Sequence, residues 1–471
     1  MQGEKGLRQK VLKGGIYLTL RQLFSVVISL VSILIIARIL GPENYGIVAV
    51  SMGLFYFSTF ISKLGLNIYL IRQPDLQDAM AEQVLAFFLT VGAGLCALLW
   101  FAAPLFGWWT GRSEITEVVR WLPFPIWFEM IAKVSLAMLE RELRFAEVGL
   151  LETLAQAANY LLAVPLVLMQ WSYWGPIAGL VMQFSVLLLL ARRAYSVPWR
   201  FRWRWRVLRP ALQYGVTYSA SDWVLSLKAL TVPLLVSRIG GIETAGLVNI
   251  AIRLVEQLGM LRIVIRRMSI SVMAKFVGEA KATRQAISQG MTYQALLIGP
   301  ICAGFACVGT WIIPLVFGAK WLPSVQVFPL IAIAALVSAI FDLHAAALYA
   351  AGHNRDVGRQ NLVYIGLLWL GCCLFLPSFD LWGYGLAELL TIPSFFVIHR
   401  ALVKFSGSPS YRNASWLILA ALPPLLGSVF LPVGYGIGLF LMSYSALFLL
   451  NASIRRVPLE LIATWKKRAI S

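Results

Sequence analysis

The sequence has little charge and few long polar stretches. Charged residues make up 13% of its 471 residues, and 59% are hydrophobic. Soluble domains carry roughly 25% charged residues. Apolar runs long enough to cross a bilayer, about 20 residues each, recur from one end of the chain to the other. A soluble fold is therefore excluded, and the sequence predicts an all-α polytopic membrane protein.

Cysteine, histidine and known catalytic patterns are also scarce. All of the five cysteines lie in apolar segments, which argues against disulfides and against a zinc site with ordinary ligand spacing. The phosphate-binding pattern G-x-x-x-x-G-K-[ST] does not occur, so a nucleotide-driven pump is unsupported. Neither a large polar loop nor a cluster of acid, base and nucleophile is visible. The sequence thus favours a transporter over an enzyme and predicts no metal or cofactor. It leaves open a coupling ion, H⁺ or Na⁺.

The chain is organised around a turn that occurs twice. Residues 38–46 and residues 238–246 both read R-I-x-G-x-E-x-x-G, and in each case apolar runs flank the turn. The residues that define the two turns are Arg38, Gly41, Pro42 and Gly46 in the first and Arg238, Gly241 and Gly246 in the second. Because such a recurrence is typical of internally repeated transporters, it predicts two similar halves in the same orientation.

Hydropathy predicts fourteen membrane spans. Their approximate limits are 15–37, 46–71, 83–106, 121–139, 146–169, 174–191, 211–237, 246–265, 290–313, 323–350, 361–377, 383–399, 414–431 and 434–451. We predict two six-helix lobes related by a pseudo-two-fold axis along the membrane normal, plus a C-terminal helix pair. The N-terminal lobe would be 1–191, a basic and aromatic linker 192–210, the C-terminal lobe 211–405, and the helix pair with a basic tail 406–471.

The excess of positive charge fits this topology. The chain has 40 Lys and Arg against 21 Asp and Glu, a net charge of +19. Most of the basic residues fall in alternate loops, as the positive-inside rule requires of cytoplasmic loops. The opposite side holds only Arg38, Arg112, Arg120, Arg238 and Lys320. The sequence therefore predicts that both termini are cytoplasmic, and that the basic residues are not a nucleic-acid surface.

The predicted linker has an alternating pattern. Residues 199–206 read W-R-F-R-W-R-W-R, which in an extended strand would place the rings on one face and the guanidinium groups on the other. Such a strand could lie on the inner leaflet with its arginines toward lipid phosphates. We interpret the segment as a membrane anchor, and nucleic-acid binding as the weaker alternative.

Four segments together resemble the polysaccharide and O-antigen flippases of the multidrug/oligosaccharidyl-lipid/polysaccharide exporter superfamily. They are A-R-I-L-G-P-E-N-Y-G at 37–46, the ending of the second span at 64–73, L-E-R-E-L-R-F at 139–145, and F-G-A-K-W at 317–321. The resemblance implies two six-helix bundles around a central cavity. It also implies an inner-membrane protein that moves a polyprenyl-diphosphate-linked oligosaccharide by alternating access. Its partners would be that lipid-linked oligosaccharide, membrane lipids and other polysaccharide assembly proteins.

The sequence departs from this family at one point. Relatives often carry an aspartate in the seventh span shortly before the turn, and this chain has Thr231, Val232 and Pro233 there. A role that depends on that carboxylate is therefore not expected here.

Charged residues inside the predicted spans are the candidate functional residues, because charge within a bilayer is costly and usually faces a bundle interior or a cavity. Helical spacing predicts local ion pairs, Glu129 with Lys133 and Arg253 with Glu256. Four cations have no acid three or four residues away, and with one acid they form the predicted substrate cavity: Arg21, Lys63, Lys228, Arg262 and Asp222. Unpaired cations suit an anionic head group such as a diphosphate.

Two other functions compete with this prediction. A drug or cation antiporter of the same superfamily would need a cavity rich in carboxylates, whereas the cations without a local partner outnumber such acids here. A membrane enzyme of polysaccharide assembly would need a larger extramembrane loop or a catalytic cluster.

Overall fold

The structure is a computed structural model that describes residues 2–73, 78–199, 204–260, 262, 269, 273, 276 and 278–455. Side chains are described from residue 28, with the exception of 30, 78, 218 and 220–222. Within these residues the secondary structure is helical, without a β-strand. The chain divides into two compact units, Met1–Gly246 and Leu247–Ser471, which are described separately.

The first unit begins with α1 (Gln2–Ser62) and ends in α10 (Gly241–Leu258), which crosses the boundary between the units. Between them lie α2 (Leu66–Arg72), α3 (Asp78–Thr110), α4 (Ser113–Trp121), α5 (Pro123–Arg141), α6 (Phe145–Leu168), α7 (Trp174–Ala194), α8 (Trp205–Ser226) and the short α9 (Ser237–Ile239). The second unit contains α11 (Ala280–Val316), α12 (Pro323–Ala350), α13 (Asn354–Phe379), α14 (Leu381–Leu390), α15 (Phe395–Ser406), α16 (Arg412–Phe430) and α17 (Val433–Leu450).

The first repeated turn is a kink within α1. Gly41 has φ 69° and ψ 175°, which interrupts the helix, and Pro42 follows it. Glycine reaches positive φ without a steric penalty, and proline removes one helical N–H donor. Gly241, at the same place in the second turn, has φ 87° and begins α10. The repeat seen in the sequence is thus a repeat of backbone conformation.

Within the described residues, eleven helices are long and apolar enough to cross a membrane. They account for most of the predicted spans, and α14 and α15 together form one of them, Leu381–Ser406. The predicted spans 15–37, 211–237 and 246–265 have no separate counterpart among the eleven. The all-helical membrane fold is confirmed, while the count of fourteen stays a prediction.

The predicted seventh span is a broken helix. After α8 ends, residues Leu227–Leu230 form a 3₁₀ turn and Thr231–Val236 form a π-helical turn. Pro233 lies in the π turn and has no N–H to donate, so the regular bonding ladder cannot continue through it. π turns are rare and occur frequently at functional sites. Gly53 of α1 allows a close approach here, because a Cβ on it would lie 2.5 Å from the carbonyl oxygen of Ala229.

The predicted linker is partly helical. The helix α7 continues to Ala194, and α8 begins at Trp205. The extended strand predicted for 199–206 is therefore wrong at Trp205 and Arg206, and residues 200–203 lie outside the described residues. Arg192 stacks on Trp199, with the guanidinium carbon 4.6 Å from the ring centre, and donates to the carbonyl oxygen of Val197.

In the second unit, the C-terminal helix pair packs onto the preceding helices. The helix α16 lies against α11 and α12, and α17 lies against α11 and α16. Arg284 of α11 donates to the carbonyl oxygen of Ser406, and the hydroxyl of Ser288 accepts from the backbone N–H of Ser410. These bonds hold the connection between α15 and α16 to the side of α11.

Candidate functional site

Lys63 and Glu129 form an ion pair in the first unit. Lys63 is in a tight turn just after α1, where Leu64 and Gly65 both have positive φ. Its Nζ lies 2.7 Å from the Oε1 of Glu129 on α5, with side-chain exposures of 22% and 9%. Lys63 has no acidic residue three or four positions away in the chain, so an acid from α5 neutralises it. Such pairing is what lets a charge persist inside an apolar bundle.

Lys133 pairs with Glu152 of α6, with Nζ 3.3 Å from Oε1. The sequence predicts an ion pair between Glu129 and Lys133 along α5, whereas the structure pairs Glu129 with Lys63 and Lys133 with Glu152. A pair within one helix contributes only about 0.2–0.5 kcal/mol, so packing decides which partners meet. Arg253 Nη1 lies 3.5 Å from Glu256 Oε2, one turn further along α10.

Arg262 and Asp342, whose side chains are 28% and 11% exposed, form a two-pronged ion pair in the second unit. The Nε and Nη2 of Arg262 donate to the two carboxylate oxygens of Asp342 on α12. Nη2 also donates to the hydroxyl of Ser338, one turn earlier, at 2.7 Å. The planar guanidinium matches a carboxylate at two points, which a lysine cannot do. Arg262 is thus held by an acid that is distant in sequence.

A second buried carboxylate is Glu388 on α14, which is 4% exposed. The hydroxyls of Tyr364 and Tyr384 each donate to one of its oxygens, at 2.8 Å. Glu388 lies five residues into the predicted span 383–399, near enough to its end for contact with water, yet the structure encloses it. The sequence signal was present, since both tyrosines lie in adjacent apolar segments, one of them four residues before Glu388.

Three further residues are predicted to line the substrate cavity. Lys228 lies in the 3₁₀ turn Leu227–Leu230 next to the π turn. The side chains of Arg21 and Asp222 lie outside the described residues. The assignment of these residues to a substrate cavity stays a prediction.

The second repeated turn is bound by the end of α3. Arg238 donates to the carbonyl oxygen of Trp109 at 3.0 Å, and its guanidinium carbon lies 5.5 Å from the centre of that ring. The indole N–H of Trp109 in turn donates to the carbonyl oxygen of Leu234 in the π turn, at 2.8 Å. In the first turn, Glu43 accepts from Arg112 at 2.5 Å. The end of α3 and the residues that follow it therefore contact both turns.

Two histidines share one tyrosine hydroxyl in the second unit. The Oη of Tyr411 lies 2.5 Å from Nε2 of His344 on α12 and 2.7 Å from Nδ1 of His399 on α15. Burial raises the pKa of Tyr411, so the phenol keeps its proton and donates to one ring while the other ring donates to it. This triad fixes the start of α16 to two helices of the unit.

These features define a class of protein. It is an all-helical membrane protein in which ion pairs between separate segments hold the charged side chains, and in which the same glycine-containing turn occurs twice. The sequence pattern of the family described as "Polysaccharide biosynthesis protein" matches residues 35–326. The chain belongs to this family.

Similar proteins support the same family. The chain is 23% identical over 451 residues to the lipopolysaccharide biosynthesis protein WzxC of Escherichia coli (strain K12), covering 92% of this chain and 89% of that protein. It is 23% identical over 305 residues to the teichuronic acid biosynthesis protein TuaB of Bacillus subtilis (strain 168), covering 63% of this chain and 62% of that protein.

Solved structures share the fold. The inward closed conformation of the lipid II flippase MurJ matches with a TM-score of 0.73 and 13% identity, over 94% of this chain and 99% of that one. An inward-facing multidrug transporter of the MATE family matches with a TM-score of 0.64 and 15% identity, over 81% and 95%. Both have the two-lobe fold that the sequence predicts for this chain.

Proposed function

We propose that this protein is a flippase that moves a polyprenyl-diphosphate-linked oligosaccharide across the inner membrane by alternating access. Two observations together support the proposal. The chain matches WzxC, named for lipopolysaccharide biosynthesis, over 92% of its length, and it has the fold of a lipid II flippase. Relatives named for teichuronic acid and for succinoglycan transport support a glycan as the cargo.

The intramembrane charges support an anionic cargo. Lys63 and Arg262 are each held by one carboxylate, from α5 and α12, so each cation is oriented and each ion pair has no net charge when no substrate is bound. A diphosphate or an acidic sugar that approaches such a pair can replace the carboxylate as the partner of the cation. Lys228 lies where the helix is broken, which suits a residue that must change its surroundings during transport.

The antiporter alternative rests on the likeness to the MATE transporter. The same assay separates the two, because a drug antiporter would leave lipid-linked sugars on the cytoplasmic face. The coupling ion, H⁺ or Na⁺, belongs to the proposal, and imposing a gradient of each in turn identifies it.

The test is transport of a labelled lipid-linked oligosaccharide in vesicles, normalised to the amount of inserted protein. We expect Lys228→Gln and Arg21→Gln to insert normally and to lower the rate at least fivefold. Arg21→Lys should restore part of the rate, since it keeps the charge and loses the planar fork. The matched control is Lys404→Gln, which removes the same charge from an exposed side chain at the end of α15. Wild-type rates in both Gln variants would contradict the role of these cations.

A further inference from the structure

The C-terminal helix pair, α16 and α17, carries a groove on its surface. It has a volume of about 500 Å³ and lies between the first half of α16 and the last half of α17. Its walls are apolar, with Trp416 and Leu419 on α16 and Leu447 and Leu450 on α17. Its polar end is formed by Arg412 and by the segment that begins at Asn451.

The groove is open to the surroundings of the protein. Trp416 is 50% exposed, Leu419 52% and Leu450 87%. On helices that cross a membrane, exposed apolar side chains of this kind face lipid chains. A lipid can therefore enter sideways from the bilayer without passing through the protein.

The positive charge at the polar end of the groove favours a negatively charged ligand. Arg412 is exposed and makes no hydrogen bond or ion pair within the described part of the chain. It lies in the first turn of α16, where the free backbone N–H groups add a partial positive charge. No acidic residue is among the described residues that line the groove, and Asn451 and Ser453 offer further polar atoms.

The length and the charge of the groove fit one lipid molecule. From Arg412 to Leu419 the helix rises about 10 Å at ~1.5 Å per residue, so a phosphate at Arg412 leaves room for the upper part of an acyl chain along the groove. One cation matches the single negative charge of a phosphodiester. A polyprenyl phosphate or diphosphate carries more negative charge than this end of the groove can balance.

We propose that this groove is a binding site for an anionic glycerophospholipid, with the phosphate on Arg412 and Asn451 and an acyl chain against Trp416 and Leu447. The site is separate from the transport of the glycan and does not rest on that proposal. A lipid seated there bridges the start of α16 and the end of α17, at the end of the helix pair opposite the connection between them.

The experiment measures lipid binding to the purified, delipidated full chain by native mass spectrometry. The probes are dioleoylphosphatidylglycerol, dioleoylphosphatidylethanolamine and undecaprenyl phosphate, each titrated alone and in competition. We expect phosphatidylglycerol to bind more tightly than phosphatidylethanolamine, and Arg412→Gln to weaken it about tenfold, which corresponds to about 1.4 kcal/mol. The matched control is Arg355→Gln, an exposed arginine in the first turn of α13.

A second variant tests the apolar part of the groove. Ala446 is half-buried in its wall, so Ala446→Trp fills the groove without entering the core, and we expect it to abolish the tight site. Gly366→Trp is its control, since Gly366 is exposed and a Cβ there would meet nothing within 4 Å. Unchanged phosphatidylglycerol binding in both Arg412→Gln and Ala446→Trp would overturn the proposal. Equal affinity for the two phospholipids would overturn it, and so would displacement of phosphatidylglycerol by an equal concentration of undecaprenyl phosphate.

Discussion

Gly46 and Gly246, the last residues of the two repeated turns, bring the backbones of α1 and α10 into direct contact. A Cβ on Gly246 would lie 2.2 Å from the carbonyl oxygen of Pro42 and 3.0 Å from the backbone nitrogen of Gly46. A Cβ on Gly46 would lie 2.0 Å from the carbonyl oxygen of Ile242. Atoms cannot approach so closely, so both positions require glycine. The repeated motif thus specifies a helix contact as well as a kink.

Gly246→Ala is expected to destabilise the protein. The added methyl group must push α10 away from the kink of α1, at a cost of about 1–3 kcal/mol for overpacking. Thermal unfolding in detergent, followed by the loss of soluble protein, measures the effect. The control is Gly94→Ala within α3, where a Cβ meets nothing within 4 Å, and where replacing a helical glycine should be neutral or slightly stabilising. Equal melting temperatures for the two variants would refute the close contact.

Removing one partner of the Arg262–Asp342 pair should cost far more than removing both. Asp342→Asn leaves the guanidinium without its counter-charge, and breaking a fully buried pair in this way costs about 3–5 kcal/mol, which is the upper bound for this partly exposed pair. The double variant Arg262→Met, Asp342→Leu leaves no unpaired charge, so we expect it to be more stable than the single variant. Ser338→Ala, which removes one neutral partner of the same guanidinium, is the control and should cost about 1 kcal/mol. The free energy of unfolding is measured by chemical denaturation in detergent. If the changes caused by the single substitutions add up to the change in the double variant, the two side chains do not interact.

The Lys63–Glu129 pair should tolerate exchange of its charges. We expect Lys63→Glu and Glu129→Lys each to lower the yield of folded protein, because each puts two like charges together in a nearly buried position. The combination of both changes should recover most of the yield, as judged by size-exclusion chromatography. The exposed pair Arg112–Glu43 provides a control, because exposed pairs contribute only about 0–1 kcal/mol. If the double exchange gives no higher yield of folded protein than either single exchange, the contact between Lys63 and Glu129 does not stabilise the fold.

The predicted topology can be tested with reporter fusions. Fusions after Gly107 and after Phe317 are expected to report the outer side of the membrane, because few basic residues lie in those loops. A fusion near Arg204 should report the cytoplasm. An outer signal at Arg204 would contradict the assignment of both termini to the cytoplasmic side.

Much of this protein is determined by the sequence alone. Hydropathy predicts the apolar helices because the bilayer requires backbone hydrogen bonds to be satisfied within each span. The repeat predicts two equivalent glycines, and both Gly41 and Gly241 adopt positive φ, which only the local chain needs to specify.

Tertiary structure decided which charges meet. The sequence shows that Lys63 and Arg262 have no acid three or four residues away, but their partners Glu129 and Asp342 follow from how the helices pack. The same holds for Glu388, whose two tyrosine partners enclose it although hydropathy places it near a span end. Local spacing determines neighbours within one helix, worth a few tenths of a kcal/mol. The much larger cost of leaving a charge unpaired in an apolar interior is met only by residues that folding brings from elsewhere in the chain.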